Sequence, residues 1–374
     1  MGIPSSQVGI KATIITHLIL LGDLNMSSFT SEFLDKLSFT TEQISTLRSL
    51  GEYRGKQALF FKQSPEALKS LQLVAKIESS ESSNRLEGIE APHKKIEELV
   101  LKDTSPKGRS EQEIAGYRDA LNLIHESGEH MPFTANVILQ LHGILCRYIA
   151  NPGGRWKLTD NEIIENHPDG SKRIRFTPTK AHLTPNAIEQ LTNNYSSAAQ
   201  ENRLDALILI PLAILDFLCI HPFSDGNGRM SRLLTLMLLY QFNYQVGHYI
   251  SLERVFEDSK ESYYETLEAS SQHWHSNKHD AKPWLNYFWG TLLRAYKEFE
   301  ERVGVITTSR GSKTELVQSA VNRRMAPFSI NDIESDCPGI SRDMIRQVLR
   351  KMRDEGSITV SSGGRGAMWQ RTFK

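Results

Sequence analysis

His221-Pro222-Phe223-Ser224-Asp225-Gly226-Asn227-Gly228-Arg229-Met230-Ser231-Arg232 holds, within twelve residues, a base, a hard oxygen ligand, two glycines, an amide and two arginines. His221 takes up a proton near neutral pH. Asp225 offers the kind of oxygen that Mg²⁺ accepts when protein and phosphates hold it jointly. Backbone N–H groups at Gly226, Asn227 and Gly228 can approach an anion closely, because two of these residues lack a side chain. The run from Arg229 to Tyr240 reads as a helix whose N-terminus carries free donors and partial positive charge. Arg229 and Arg232, three apart, share a face and can fork onto phosphate oxygens. Apolar runs bracket the segment, Leu204 to Ile220 and Leu233 to Tyr240. So much charge between core-forming segments requires either an internal network or a charged ligand. The composition favours a ligand, and the chemistry is that of a Mg²⁺-polyphosphate site with a base beside it.

Two plainer readings fail. A calcium loop opening at Asp225 needs glycine at its sixth position and a carboxylate at its twelfth, where Met230 and Leu236 stand. An inert helix cap leaves a histidine and two arginines without a purpose. The segment resembles the signature of the Fic family, H-x-F-x-[DE]-G-N-G-R-x-x-R, at His221, Phe223, Asp225, Gly226, Asn227, Gly228, Arg229 and Arg232. The resemblance implies a mainly α Fic core and transfer of AMP from ATP, with Mg²⁺, onto Tyr, Ser or Thr hydroxyls of target proteins. His221 would be the base, Asp225 the metal ligand, and Gly226 to Gly228 with Arg229 and Arg232 the phosphate site.

A second segment, Ser79 to Gly88, reads as the end of a helix whose apolar positions are Leu68, Leu71, Val74, Ala75 and Leu86. Ser83 and Glu87 share one face. A carboxylate in the last turn is disfavoured by the helix dipole unless a cation meets it. Ser83, Glu87 and Gly88 match the Fic inhibitory pattern [ST]-x-x-x-E-[GN], about 130 residues before the catalytic motif. The resemblance implies that Glu87 pairs with Arg232 and denies it to the ATP γ-phosphate.

The elements around these residues read as helices, among them Ser64 to Leu86, Glu113 to Ser127 and Thr134 to Ile149, the last stopped by Asn151-Pro152-Gly153-Gly154. Residues 161 to 176 break the pattern as a β-hairpin around Asn166-His167-Pro168-Asp169-Gly170. A lone hairpin leans on a larger core. In the Fic family a hairpin here is a flap that clamps the target main chain, which would use Ile164, Glu165, Asn166 and His167. Tyr263 and Tyr264 read as half-buried packing on a helix, and the family suggests instead that they flank the adenine. His273, His275, His279 and Asp280 read as a solvated loop rather than a metal cluster.

Beyond Gly311 the order is a short helix, an amphipathic helix capped by Ser341 and a strand pair, the order of a winged helix. Residues 310 to 374 carry 12 Lys/Arg against 7 Asp/Glu, with Arg342, Arg346, Arg350 and Arg353 near one face and Arg365 on the wing. DNA contact and protein contact, including a homodimer, are equally open.

The 374 residues suit several domains: an N-terminal extension at 1–26, a helical region at 27–110 with the inhibitory helix, a catalytic domain at 111–300 and a winged helix at 310–374. Lys plus Arg balance Asp plus Glu at 44 each, so no global field points to nucleic acid or membrane. Cys146, Cys219 and Cys337 make no disulfide framework, which points to a reducing, cytoplasmic setting. No segment suits a bilayer span; Met26 competes with Met1 as the start. The expected activity is autoinhibited protein adenylylation, self-modification included. Its rivals are transfer of another nucleotide or phospho-group, removal of AMP with Glu87 orienting water, and a DNA-binding regulator with a degenerate Fic core.

Overall fold

A computed structural model describes residues 28–374 except 62–64, 103, 167–170, 203, 308–311, 325–326, 338–339, 362–366 and 373–374. The N-terminal extension, His167 and Arg365 lie outside the described residues. The chain is mainly helical. Helices α1 (Ser31–Leu34), α2 (Thr41–Phe61), α3 (Pro65–Arg85), α4 (His93–Lys102), α5 (Arg109–Ser127) and α6 (Ala135–Leu145) precede an antiparallel hairpin, β1 (Ile163–Asn166) and β2 (Lys172–Phe176). Then come α7 (Thr184–Gln200), α8 (Ala206–Ile220), α9 (Asn227–Gln241), α10 (Leu252–Asp258), α11 (Lys260–Ser271) and α12 (Lys282–Thr307).

The centre is the pair α8 and α9. Both are buried nearly all round; α8 is apolar on almost every face, while the first half of α9 also buries Asn227, Arg229 and Arg232. Pro211 sits inside α8 and has no N–H to give the carbonyl four residues earlier. That carbonyl, on Leu207, accepts instead from Trp289 Nε1 at 2.7 Å, while Pro211 O accepts from Trp284 Nε1 at 2.8 Å. The two tryptophans thus fasten α12 across α8. Leu50, Leu68, Leu71 and Leu86 belong to the same buried cluster as Leu209, Leu212 and Leu238. The helices before residue 110 and those carrying the motif therefore share one core.

Three details differ from the sequence expectation. Helix α6 ends at Leu145 rather than near Ile149, because Arg147 and Ile149 donate to Ile144 and Cys146 in tighter turns. Helix α3 ends at Arg85, and Leu86 to Gly88 form the closing turn. Its donors are Ile89 N to Asn84 O at 3.0 Å and Gly88 N to Arg85 O at 2.9 Å, with Gly88 at φ +75°. Glu87 is therefore the cap, just past the helix. His279 is not solvated: it is 5 % exposed, stacks on Phe33 at 4.2 Å and bonds Ser28 Oγ at 2.9 Å. The polar composition around it concealed an aromatic neighbour more than 200 residues away.

The hairpin pairs Ile164 with Ile174, Glu165 with Arg173 and Asn166 with Lys172, with an irregularity between Ile163 and Ile164. The C-terminal part has its own core, including Val317, Phe328, Ile345, Leu349 and Trp369. It comprises α13 (Ser312–Arg323), β3 (Phe328–Ser329), α14 (Ile330–Asp336), α15 (Arg342–Asp354), β4 (Ile358–Val360) and β5 (Met368–Arg371), the strands ordered β3-β5-β4. Helix α13 and strand β3 were not anticipated. No helix among the described residues is long and apolar enough to cross a membrane, and the three cysteines are buried.

Candidate active site

Helix α8 ends because His221 turns left-handed, at φ 51° and ψ 61°, a conformation uncommon outside glycine, asparagine and aspartate. Its Nδ1 lies 3.3 Å from Leu218 O, which places the proton on Nδ1 and leaves the Nε2 lone pair available. Burial lowers the ring to about 4; the hydrogen bond to Leu218 O opposes it, the positive charge of Lys157 adds a smaller lowering, and Glu87 a still smaller raising. At neutral pH the ring is an uncharged proton acceptor.

The loop after His221 is braced from within. Asn227 Oδ1 accepts from Phe223 N at 2.9 Å and its Nδ2 donates to Phe223 O at 2.7 Å. The Phe223 ring stacks on His142 at 3.6 Å. His142 in turn accepts from Gly154 N at 3.0 Å through Nδ1 and reaches Asp225 O at 3.1 Å through Nε2. The Asn227 side chain is therefore occupied in closing the turn. Gly226, at φ +80°, caps α9 without any side-chain hydrogen bond, so the first-turn N–H groups remain open to an anion. Asp225 Oδ1 accepts from Gly226 N at 2.6 Å, yet its side chain is 68 % exposed. Among the described residues no three His, Cys, Asp or Glu side chains cluster as a metal cage. A single accessible carboxylate fits Mg²⁺ only where phosphates complete the shell.

The two arginines part company. Arg232 Nε donates to Ser83 Oγ at 2.8 Å, and Nη2 donates to Ser83 O at 2.8 Å and Glu87 Oε1 at 2.7 Å. Arg229 turns inward instead, with Nη1 2.9 Å from Glu113 Oε2 and 3.4 Å from Asn84 Oδ1. Three residues apart, the pair were expected to face one anion; the buried Glu113 carboxylate draws Arg229 aside.

A cavity of about 310 Å³ joins these groups, lined by His221, Ser224 to Gly228, Arg232 and Glu87. Tyr263, Tyr264, Leu215, Leu218 and Leu267 supply its apolar lining. Tyr263 is buried, and Tyr264 Oη donates to Leu86 O at 3.2 Å, tying the pair to the residue before Glu87. From the hairpin, Glu162, Ile163, Arg175 and Phe176 reach the cavity. Ile164 is 44 % exposed and absent from the lining, and Glu165 pairs with Arg173 at 2.8 Å. Asn166 closes β1. Arg173 and Arg175 both pair with Glu268 of α11, which fastens the hairpin to that helix beside the cavity.

Sequence reading missed Lys157, Asn161, His142, Glu113, Arg175 and Glu268. Each acts through a contact with a distant segment, and none stands in a local pattern.

Residues 132–239 match the family model described as the Fic/DOC family. A Fido domain-containing protein of Dictyostelium discoideum is 29% identical over 73 residues, 18% of this chain and 51% of that protein. The chain thus spans about half the length of this curated relative. Among solved structures, a Fic family protein from Desulfovibrio desulfuricans G20 superposes with a TM-score of 0.59 at 19% identity, covering 90% of this chain and 98% of that one. A Fic domain-containing signaling protein from Bacteroides thetaiotaomicron gives 0.58 at 21%, covering 69% and 97%. Fic-1 from C. elegans gives 0.54 at 18%, covering 69% and 72%. At these identities the superpositions speak for the fold. Residues 132–239 are thus similar to the Fic/DOC family, and the fold around them is similar to that of these Fic proteins.

Proposed function

We propose that this chain is a Fic-type protein adenylyltransferase held inactive by Glu87. One observation carries the reading: the neutral His221, the open first turn of α9 and the Glu87–Arg232 pair border the same cavity. The target hydroxyl gives its proton to His221 Nε2, and its oxygen attacks the α-phosphorus of ATP. The bond to the bridging oxygen breaks, and pyrophosphate leaves. First-turn amides of α9 stabilise charge on the phosphoryl oxygens. Asp225 is the residue that would hold Mg²⁺, which when bound offsets phosphate charge. Arg232 serves the γ-phosphate once Glu87 releases it. Tyr263 and Tyr264 pack the adenine, and the hairpin main chain from Ile163 to His167 aligns the target.

The C-terminal unit has the helix and strand order of a winged helix. On α15, Arg342 pairs with Glu334, Arg346 with Asp343 and Arg353 with Asp354. These pairs are exposed and weak, so protein contact, a second copy included, and phosphate contact stand equal. DNA binding by residues 310–374 as tight as that of the full chain would decide for phosphate contact.

The deciding experiment incubates the protein and its Glu87→Gly variant with labelled ATP, UTP and GTP in a lysate, followed by mass spectrometry of modified polypeptides. Label from ATP on Tyr, Ser or Thr supports the reading. Label from another nucleotide alone, or release of AMP from pre-modified protein alone, replaces it with the corresponding rival.

A further inference from the structure

We propose that Lys157 is a positioning residue for His221, fixing the left-handed turn on which the histidine sits and keeping a positive charge beside its ring. The proposal rests on His221 being the proton acceptor.

Helix α8 stops at Ile220, so its last carbonyls have no partner within the helix. Lys157 Nζ donates to Ile220 O at 3.1 Å and to Asn161 Oδ1 at 2.8 Å. Its backbone N donates to Pro222 O at 2.9 Å. Asn161 Nδ2 continues the brace to Phe223 O at 3.2 Å. One short segment thus grips the carbonyls on both sides of His221, which are otherwise free to rotate the histidine out of an uncommon backbone conformation.

Lys157 is 3 % exposed, an unusual position for an ammonium group. Both of its ammonium hydrogen bonds go to neutral oxygens. The charge lies at the negative end of the α8 dipole, which partly offsets its burial. Burial lowers Lys157 to about 8, with Asp160 opposing, so it remains mostly cationic at neutral pH. A structural lysine could have packed its stem and left its head in water; here the head is aimed at the histidine turn.

The groups facing His221 come from several elements. Lys157 disfavours the imidazolium, and Glu87 from the end of α3 favours it. Asp225 and Arg232 stand on the motif itself, Asp160 stands beside Lys157, and Glu162 and Arg175 reach the cavity from the hairpin. When Glu87 withdraws, the ring loses one charge that favours the imidazolium, while the positive charge of Lys157 stays beside it. The same residue therefore holds the base in place and keeps it unprotonated when inhibition is relieved.

The test uses the full chain in a Glu87→Gly background, with Lys157→Met and Lys157→Arg added separately. The His221 ring is titrated by NMR of ¹⁵N-histidine-labelled protein, its signal assigned by its loss in His221→Ala. Initial rates of transfer from labelled ATP are measured against pH. Lys157→Met should raise the His221 midpoint by about half to one unit. It should lower kcat by about tenfold or more, with KM for ATP within about twofold. Lys157→Arg should keep the low midpoint and recover kcat to within a few-fold. A midpoint unmoved in Lys157→Met, a rise in KM that matches the loss of kcat, or an Arg variant as damaged as the Met variant would overturn the role. Should the parent transfer no nucleotide at all, the adenylyltransferase reading fails, while the ring titration still decides the part played by Lys157. If Lys157→Met does not fold, Asn161→Ala takes its place. It keeps the charge and loses part of the brace, so kcat should fall with the midpoint unmoved; an unchanged kcat would overturn the brace.

Discussion

Glu87 and Arg232 meet at 2.7 Å across 145 residues of sequence, and Gly228 is the residue that lets them meet. A Cβ built on Gly228 would overlap Glu87 Oε1 and press on Arg232 Nη1. The arginine side chain is 1 % exposed and the glutamate 32 %, so the pair is half-sunk and better shielded than a surface ion pair. Arg232 Nη1 is buried and has no hydrogen-bond partner among the described residues. One nitrogen of the guanidinium is left short of an acceptor, as a group held for an absent anion would be.

Removing the carboxylate releases the arginine. Glu87→Gly should raise transfer from ATP by about tenfold or more, self-modification included. Arg232→Ala in the same chain should cancel the gain, because the gain depends on that guanidinium. Labelled-ATP incorporation by the two variants checks this, and activity at the parental level across a range of ATP concentrations would remove the inhibitory role.

Gly228→Ala sets a Cβ against the Glu87 carboxylate, which must swing away from Arg232, and the lost pair should cost about 1 kcal/mol of stability or less. Glu87→Gly removes the obstructing atoms and the same pair, so the double variant should lose no more than Glu87→Gly alone. A urea-unfolding cycle measures the coupling; strict additivity would mean that the glycine is needed for some other reason.

His221→Ala should lower transfer by about 100-fold or more, with ATP affinity nearly unchanged, since on the proposed reading the ring meets the reacting hydroxyl and not the phosphates. Rates from labelled ATP, beside calorimetric binding of ATP, separate the two quantities.

Ile164→Pro removes a main-chain donor from β1. Modification of the target should weaken while ATP affinity barely moves, because Ile164 does not line the cavity. Parallel loss of ATP binding would make the hairpin a wall of the nucleotide site instead.

Burial holds His221, His248 and His279 at about 4 and pushes His125 well below the ordinary value. Between about pH 6.5 and pH 4 the unfolded chain therefore binds protons that the folded chain refuses. Their contribution to stability is complete above about pH 6.5 and drains away as pH falls towards 4. Urea midpoints at pH 7.5, 6 and 5 should decline in that order, and equal midpoints would contradict the burial of these rings.

The helical class and the turn between α8 and α9 are legible in the sequence because their signals are local. An unbroken apolar run, two glycines and a second apolar run can fold in few other ways. Twelve consecutive residues also bring His221, Asp225, Gly228 and Arg232 to one turn whatever surrounds them. Arg229 shows the limit. Its spacing from Arg232 says that the two share a face, but the carboxylate of Glu113, on a helix more than a hundred residues earlier, decides where it points. The same holds for Lys157, which gains its meaning only when the end of α8 is placed against it. The buried His279 misled for the converse reason, since the polar residues beside it say nothing about Phe33.

The face that α3 buries changes character along its length. Leu68, Leu71, Val74 and Ala75 anchor its first half in the common core, while Ser79, Ser80, Ser82 and Ser83 fill the second with hydroxyl groups. Leaving the core would expose the first half's hydrocarbon to water, whereas the hydroxyl groups of the second half trade protein partners for solvent at little net cost, Leu86 alone costing apolar burial. On the proposed reading, relief of inhibition would be a fraying of about two turns about a fixed stem, with the rest of the helix docked. Amide hydrogen exchange would register it as fast exchange at residues 79–88 beside slow exchange at 68–75, an uneven clock within a single helix.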